Sequence, residues 1–202
     1  MQITTGVRAV LSHPAVYSAF QYLMGARSGW IRLMRDHVQA SPGDLMLDIG
    51  CGPGDALRYL PAVRYWGYDV SAEYIERARA RFGDRGDFFC KIFDESDVEA
   101  LPRVDIALLS GVLHHLGDDD ARNLFLLLRK AVKPGGRVVC VDPCFAPGQN
   151  LFARLLISND RGCDVRDAAG YARLAEGVFE SVNARVRHKA WIPYTHCYMV
   201  CS

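Results

Sequence analysis

Three glycines within five residues, Gly50, Gly52 and Gly54, close a short apolar run, Leu45-Met-Leu-Asp-Ile. A β-compatible run followed by that spacing reads as a strand, a tight turn that only glycine backbone permits, and a helix start, with Pro53 suited to the first helical turn. Such an arrangement delivers bare backbone to a helix N-terminus and is a nucleotide cradle. For a dinucleotide the third glycine of the pattern is due at position 55, where the chain has Asp55, a carboxylate that would face a pyrophosphate unfavourably. Asp48, two residues ahead of Gly50, sets a carboxylate at the strand's end, beside a ligand with positive charge or amine donors. Asp69 lies nineteen residues beyond Gly50 and ends a second strand-like run, 65–70. That is the separation at which a second-strand carboxylate meets a nucleoside ribose, because two parallel neighbours end at the same sheet edge. Ser110, His114 and His115 follow a buried-type strand, 104–109, and Asp142 ends another, 137–141. All of these groups therefore gather at the carboxyl edge of one parallel sheet, where an imidazole can move protons.

The spelling Leu47-Asp-Ile-Gly-Cys-Gly-Pro-Gly54 resembles the first motif of class I S-adenosylmethionine-dependent methyltransferases. That cofactor carries an ammonium and a sulfonium and no phosphate, in keeping with Asp48 and with Asp55. Two later stretches resemble the same family in its order: Asp105-Ile-Ala-Leu-Leu-Ser-Gly-Val-Leu-His-His-Leu116, its fourth motif, and Lys133-Pro-Gly-Gly136 ahead of a β-branched strand. The resemblance covers about residues 43–142. It implies that Asp48, Gly50, Cys51 and Gly52 line the cofactor's aminoacyl side, and that Asp69, with Val70 beside it, accepts both ribose hydroxyls. It implies further that Asp94, next to Phe93, receives the adenine amino group, and that backbone near Ser110 receives the methionine ammonium. Lys91-Ile-Phe stands where the family has small residues, which leaves Glu95, Ser96 and Asp97 as other partners for adenine. Where a general base is needed, His115, His114 and Asp142 are the candidates, in that order; the other reading is that one histidine turns into the fold.

The elements that must hold these groups can be read in order. Residues 1–40 carry apolar positions at helical intervals, to be broken at Gly25 and Gly29 into two helices that form an N-terminal cap. In the family such helices close over the cofactor or acceptor, so Tyr17, Phe20 and Tyr22 are lid residues or, alternatively, packing residues. A helix is predicted over 55–60 and another over 72–82, the latter capped by Ser71. A third strand is predicted over 87–92. Asp118-Asp-Asp120 places negative charge at the positive end of a helix whose apolar face holds Leu124, Phe125, Leu127, Leu128 and Ala131. Residues 143–170 break the strand-helix rhythm with Pro143, Pro147, Gly148 and Gly162. With a short helix over 149–157, this long insertion is either an acceptor-side flap, with Asp160, Arg161 and Arg166 binding substrate, or a salt-bridged surface loop. A helix over 168–179 and strands over 182–191 and 194–201 close the chain. The implied fold is α/β and Rossmann-like: one seven-stranded, mostly parallel sheet of order 3-2-1-4-5-7-6, strand seven antiparallel, with helices on both faces, in a single domain over 1–202.

At 202 residues, half of them hydrophobic, the chain can bury a substantial core. A formal net charge of +1 sets up no global field for nucleic acid or an anionic membrane. No apolar run approaches the roughly 18 to 20 residues of a membrane span, and the first residues lack a signal-type pattern, so a cytoplasmic protein is expected. The seven cysteines are odd in number and scattered without a Cys-x-x-Cys pair, which reads as buried small hydrophobes in a reducing compartment; no metal site is predicted. The resemblance implies methyl transfer from S-adenosylmethionine to a small-molecule acceptor, with a sugar or secondary-metabolite scaffold suited to the arginine-bearing insertion. A non-catalytic S-adenosylmethionine-binding protein and a nicotinamide-dependent oxidoreductase are the alternatives.

Overall fold

A computed structural model describes residues 26–158, 162, 164–188 and 194–202. Its seven strands are β1 (Leu45–Ile49), β2 (Arg64–Asp69), β3 (Gly86–Cys90), β4 (Val104–Ser110), β5 (Val132–Pro143), β6 (Val182–His188) and β7 (Thr195–Cys201). They form one sheet of order β3-β2-β1-β4-β5-β7-β6, the expected order. β1 through β5 pair in parallel, and β7 runs antiparallel to both β5 and β6. The helices are α1 (Ala26–Leu33), α2 (Ala72–Phe82), α3 (Glu95–Ala100), α4 (Asp118–Ala131), α5 (Leu151–Ser158) and α6 (Ala168–Ala175).

β1 lies between two parallel partners, and because a core layer covers each face of the sheet there, it reads as a largely continuous apolar run instead of an alternating one. The pleat then divides the core. Met46, Tyr65, Ile106, Leu108, Val139 and Val141 point into one layer, where Leu33, Met34 and Val38 and the α2 residues Ile75 and Ala78 cover them. Leu47, Ile49, Trp66, Tyr68, Ala107, Leu109, Val138 and Cys140 point into the other. That layer is closed by Phe125 and Leu128 of α4 and by Tyr171 and Leu174 of α6.

Local chemistry sets the boundaries. Ser71 caps α2, its Oγ accepting the Tyr74 N–H at 3.3 Å. A reciprocal box opens α3: Asp94 Oδ1 accepts the Ser96 N–H (2.9 Å), and Asp97 Oδ2 accepts the Asp94 N–H (3.0 Å). Three boundaries differ from expectation. Gly29 does not break α1, because a glycine inside a helix costs only about 1 kcal/mol, less than the burial of Leu33 and Met34 returns. The segment after the glycine turn is a single 3-10 turn, Asp55–Arg58, entered through Gly54 at φ +74°. Arginines from α2 and just beyond tie that segment down. Arg81 donates to the Pro53 carbonyl at 2.9 Å, and Arg85 donates to the carbonyls of Leu57, Leu60 and Pro61. Lys133–Gly136 is a bulge and not a terminating turn: Val132 pairs with Val104 and Arg137 with Ile106, so four residues are looped out opposite one.

Candidate active site

The parallel strands end together along one edge of the sheet, and the glycine turn lies at its centre. Gly50, Gly52 and Gly54 all have positive φ (+67°, +54° and +74°). A Cβ at Gly50 would stand 2.6 Å from Val112 Cγ2, whereas one at Gly52 would meet nothing within 4 Å. The turn therefore comes close to the β4 loop at its first glycine and borders open space at its second. Its donors are not bare. The N–H groups of Gly50 and Cys51 both donate to the Tyr68 carbonyl (2.7 and 3.0 Å), and the Gly52 N–H donates to Asp69 Oδ2 (2.9 Å). What the turn offers a ligand is room, not free amides, a correction to the expectation of bare backbone.

Asp69 is fixed from both sides. Its Oδ2 accepts from Gly52, and its Oδ1 accepts the Ser71 N–H at 2.8 Å, so each oxygen keeps lone-pair capacity for a further donor. Val70, which follows Asp69, and Ile92, two residues past β3, are 70% and 74% exposed, two apolar side chains beyond the carboxyl ends of neighbouring strands. An uncompensated apolar pair next to a polar clamp suits a flat ring system attached to a sugar.

Asp48 lies deeper. It is 2% exposed and faces Tyr65, whose hydroxyl donates to Oδ2 at 2.5 Å; Oδ1 has no hydrogen-bond partner among the described residues. Burial pushes the Asp48 carboxyl up to about 7, against the opposing effect of the Tyr65 hydrogen bond and with a further push from Asp69. A buried carboxylate oxygen with no donor among the described residues is the feature of this site that calls for a cation.

On the other side, Asp142 is 2% exposed. Its Oδ1 accepts the His114 backbone N–H (3.1 Å) and lies 2.7 Å from His114 Nδ1. Burial raises the Asp142 carboxyl, and the histidine opposes the rise. The expectation that Asp142 faces the crevice is corrected. Residues 138, 140 and 142 share the face of β5 that points into the α4 and α6 layer, so the carboxylate sits beneath His114. His114 is thus the histidine that turns inward, and His115, exposed, packs against it with ring centroids 4.0 Å apart and planes tilted by 38°. Ser110 ends β4, half-buried and paired in register with Val141.

Three expected ligand contacts have other employment. Phe93 is 4% exposed and packs edge-on against Tyr68, in the core. Asp94 serves as the α3 cap and pairs with Lys91 at 3.1 Å. Arg166 spends its guanidinium on the protein: Nη1 donates to the carbonyls of Leu113 and Asp164, Nη2 to that of Leu116, and Nε and Nη2 to Asp118 Oδ1. It is an anchor for the loop that follows α5, the salt-bridged alternative at this position. Asp55 likewise pairs with Arg81 at 2.6 Å. Tyr17, Phe20, Tyr22, Asp160 and Arg161 lie outside the described residues. One buried partner, Tyr65, escaped the sequence reading, and Asp97, read there as an alternative partner for adenine, instead accepts from the Tyr68 hydroxyl at 3.1 Å. Strand alternation could have found Tyr65, since it shares a sheet face with residues 46 and 48. For Asp97, in a short helix, no such signal exists.

Residues 47–138 match the family model described as a methyltransferase domain. The ubiquinone/menaquinone biosynthesis C-methyltransferase UbiE of Desulfotalea psychrophila is 30% identical over 139 residues, 64% of this chain and 53% of that protein. Phosphoethanolamine N-methyltransferase 1 of Triticum aestivum is 28% identical over 151 residues, 70% of this chain and 29% of that protein. Among solved structures, the S-adenosylmethionine-dependent methyltransferase SibL in its apo form superposes with a TM-score of 0.69 at 19% identity, covering 96% of this chain and 60% of that one. The chain thus spans about a third to a half of the curated relatives and about three fifths of that structure. Residues 47–138 thus match a methyltransferase domain, and the strand order, with the glycine turn on one sheet edge, is that of the class I methyltransferase fold.

Proposed function

We propose that this protein binds S-adenosylmethionine across the carboxyl ends of β1 and β2 and transfers its methyl group to a small-molecule acceptor. The observation that carries the reading is Asp69. It bridges the turn amide of Gly52 and the α2 entry at Ser71 while leaving oxygen lone pairs beside the open space at Gly52. In this reading Asp69 takes the ribose hydroxyls, Val70 and Ile92 flank the base, and Asp48 answers the cationic aminoacyl end. Adenine recognition falls to apolar packing and backbone in place of Asp94, whose carboxylate is held by Ser96 and Lys91.

When bound, the cofactor supplies an electrophilic methyl group, so the protein's task is alignment and the exclusion of water. His115 is the residue placed to take a proton from an acceptor: it is exposed at the same edge and packs against His114, which Asp142 holds through both its ring and its backbone. The names of two relatives, a phosphoethanolamine N-methyltransferase and a ubiquinone/menaquinone biosynthesis C-methyltransferase, support a small acceptor, with a sugar or secondary-metabolite scaffold as the class suited to the charged residues of the 143–170 stretch. A net charge of +1, and no helix among the described residues long and apolar enough to cross a membrane, support a cytoplasmic enzyme that needs neither nucleic acid nor lipid.

Titration of the purified protein with S-adenosylhomocysteine tests the reading. Micromolar binding is expected, with Asp69→Asn weakening it by about 10- to 100-fold, the worth of a charge-assisted hydrogen-bond pair. Binding of NADH without binding of S-adenosylhomocysteine would overturn it. Cofactor binding with no label transferred to a broad acceptor panel would leave a non-catalytic binding protein instead.

A further inference from the structure

We propose that the row of rings formed by His37, Tyr198, His196 and Tyr194 is an acceptor-binding wall, and that the acceptor it takes is a flat aromatic ring bearing an acidic group. This rests on the function proposed above and narrows its acceptor from a small molecule to an aromatic acid.

Strand register places the row. Ser110 pairs with Val141, Val141 with Tyr198, and Pro143 with His196, and residues paired across neighbouring strands share a sheet face. Val141 and Tyr198 belong to the layer that α2 and Leu33 cover, so Ser110 and His196 lie on that face too. Tyr198 stands two strand spacings from Ser110, about 10 Å. Because β7 runs antiparallel to β5, His196 lies farther toward the carboxyl edge than Tyr198, and the row climbs to the edge that carries the glycine turn.

The rings touch in sequence. His37, on the turn Met34–Val38 after α1, stacks on Tyr198 with centroids 4.7 Å apart and planes 16° from parallel. His196 lies 6.3 Å from Tyr198 and Tyr194 lies 5.0 Å from His196, tilted by 53° and 46°. Tyr198 is buried, whereas His196 and Tyr194 are half-buried, so the outer end of the row reaches solvent. A further flat ring extends such a row at favourable spacing and tilt.

Charge decides what that ring must carry. Arg185 pairs with Tyr198 and Arg187 with His196 across β6 and β7, which puts both arginines on the same face. Arg32 of α1 and Arg187 are near enough for their charges to act on the Tyr198 hydroxyl. Neither has a hydrogen-bond or ion-pair partner among the described residues, and Arg185 reaches Asn183 at 3.3 Å. The acid that faces them, Asp36, is held by Arg35 at 2.6 Å. An aromatic row alone could hold a cation over its ring faces. Three arginines without a carboxylate partner reverse that preference, repelling an ammonium and drawing an anion, and a neutral sugar would use neither feature.

Ligand-observed NMR titration of the protein with S-adenosylhomocysteine present tests the assignment with four probes: 4-hydroxybenzoate, 4-hydroxybenzyl alcohol, tyramine and glucuronate. Hydroxybenzoate should bind about tenfold more tightly than the neutral alcohol, tyramine more weakly still, and glucuronate not measurably. Arg187→Ala should weaken hydroxybenzoate by about three- to fivefold, the worth of one exposed ion pair, and leave the alcohol unchanged. His196→Ala should weaken both ring ligands by a similar factor, about fivefold. S-adenosylhomocysteine binding by each variant shows that it is folded. No binding of hydroxybenzoate, binding of tyramine or glucuronate as tight as that of hydroxybenzoate, or equal weakening of the acid and the alcohol by Arg187→Ala would overturn the proposal. With S-adenosylhomocysteine still bound, any of these results leaves the proposed function standing; failure of S-adenosylhomocysteine to bind would overturn both.

Discussion

Asp48 ionises only by placing a charge in the middle of a sheet, and that cost belongs to the folded protein alone. Its carboxyl stands at about 7 when folded, against an ordinary 3.8. The sign follows from linkage: the folded state binds the proton more tightly, so its stabilising contribution is full below about pH 4 and is lost as pH rises through about 7. Asp48→Asn removes the titration without removing the hydrogen-bond acceptor for Tyr65. Relative to wild type, this variant should gain roughly 3 kcal/mol of stability between pH 4.5 and pH 8, because each tenfold difference in proton affinity between the folded and unfolded states is worth ~1.4 kcal/mol. Urea unfolding at the two pH values measures the gain; parallel pH profiles for the two proteins would show that Asp48 is ionised throughout. Asp142 is the contrasting case. It is equally buried and likewise has an unpartnered oxygen, but His114 stands 2.7 Å from the other, so the pair shares the burden that Asp48 bears with a neutral phenol. Both aspartates could be placed at strand ends from sequence, since each closes an apolar run. Which way each carboxylate points depended on the pleat and could be counted only once the register was known.

At the scale of elements, the site is held together by arginines that reach between segments. Arg81 and Arg85 pin the 3-10 turn after the glycines, and Arg166 straps the loop after α5 to the loop before α4. Arg166 replaces water for three carbonyls and for Asp118 while its own side chain is only 11% exposed. Its removal should leave acceptors unserved, at about 1 to 3 kcal/mol for the first and less for those that water can reach. Arg166→Ala is expected to lower stability by about 2 to 4 kcal/mol in urea unfolding and to open the segment around residues 162–167 to limited proteolysis. Lysine should rescue little, because a single ammonium cannot span the carbonyls that the planar fork spans. A variant as stable and as protease-resistant as wild type would make Arg166 available to an acceptor again. Charge in a Gly- and Pro-broken stretch was visible in the sequence, but whether such charge binds a substrate or closes a loop depends on what lies opposite, and residues 113–118 are far away in the chain.

Over the whole molecule, the cysteines report how the layers close. Cys140, Cys197 and Cys201 lie within the α4 and α6 layer along the antiparallel β5 and β7 pair, with Cys144 just beyond, and Cys51 lies under the glycine turn. Burial pushes the thiols of Cys144, Cys197 and Cys201 up to about 12 and that of Cys140 well above its ordinary range. Cys90, at the exposed end of β3, is the described thiol that meets solvent. Maleimide labelling read peptide by peptide should therefore modify Cys90 within minutes in the native protein and the five buried thiols only on global unfolding. Rapid native labelling at Cys197 or Cys201 would mean that the terminal hairpin opens on its own.

By itself the sequence determined the glycine turn, the carboxylate at the end of the second strand, the cap of α2 and the negative charge at the start of α4, because each rests on spacing within a short stretch of chain; the strand order followed from the family resemblance that those stretches carry. Only the tertiary structure decided which atoms remain for a ligand. It committed the turn amides to Tyr68 and Asp69, Asp94 to a cap, Phe93 to the core and Arg166 to a strap, and it set Tyr65 beneath Asp48. A polar group's availability is what is left after its neighbours have taken their share, and those neighbours arrive from strands and loops that local pattern cannot align.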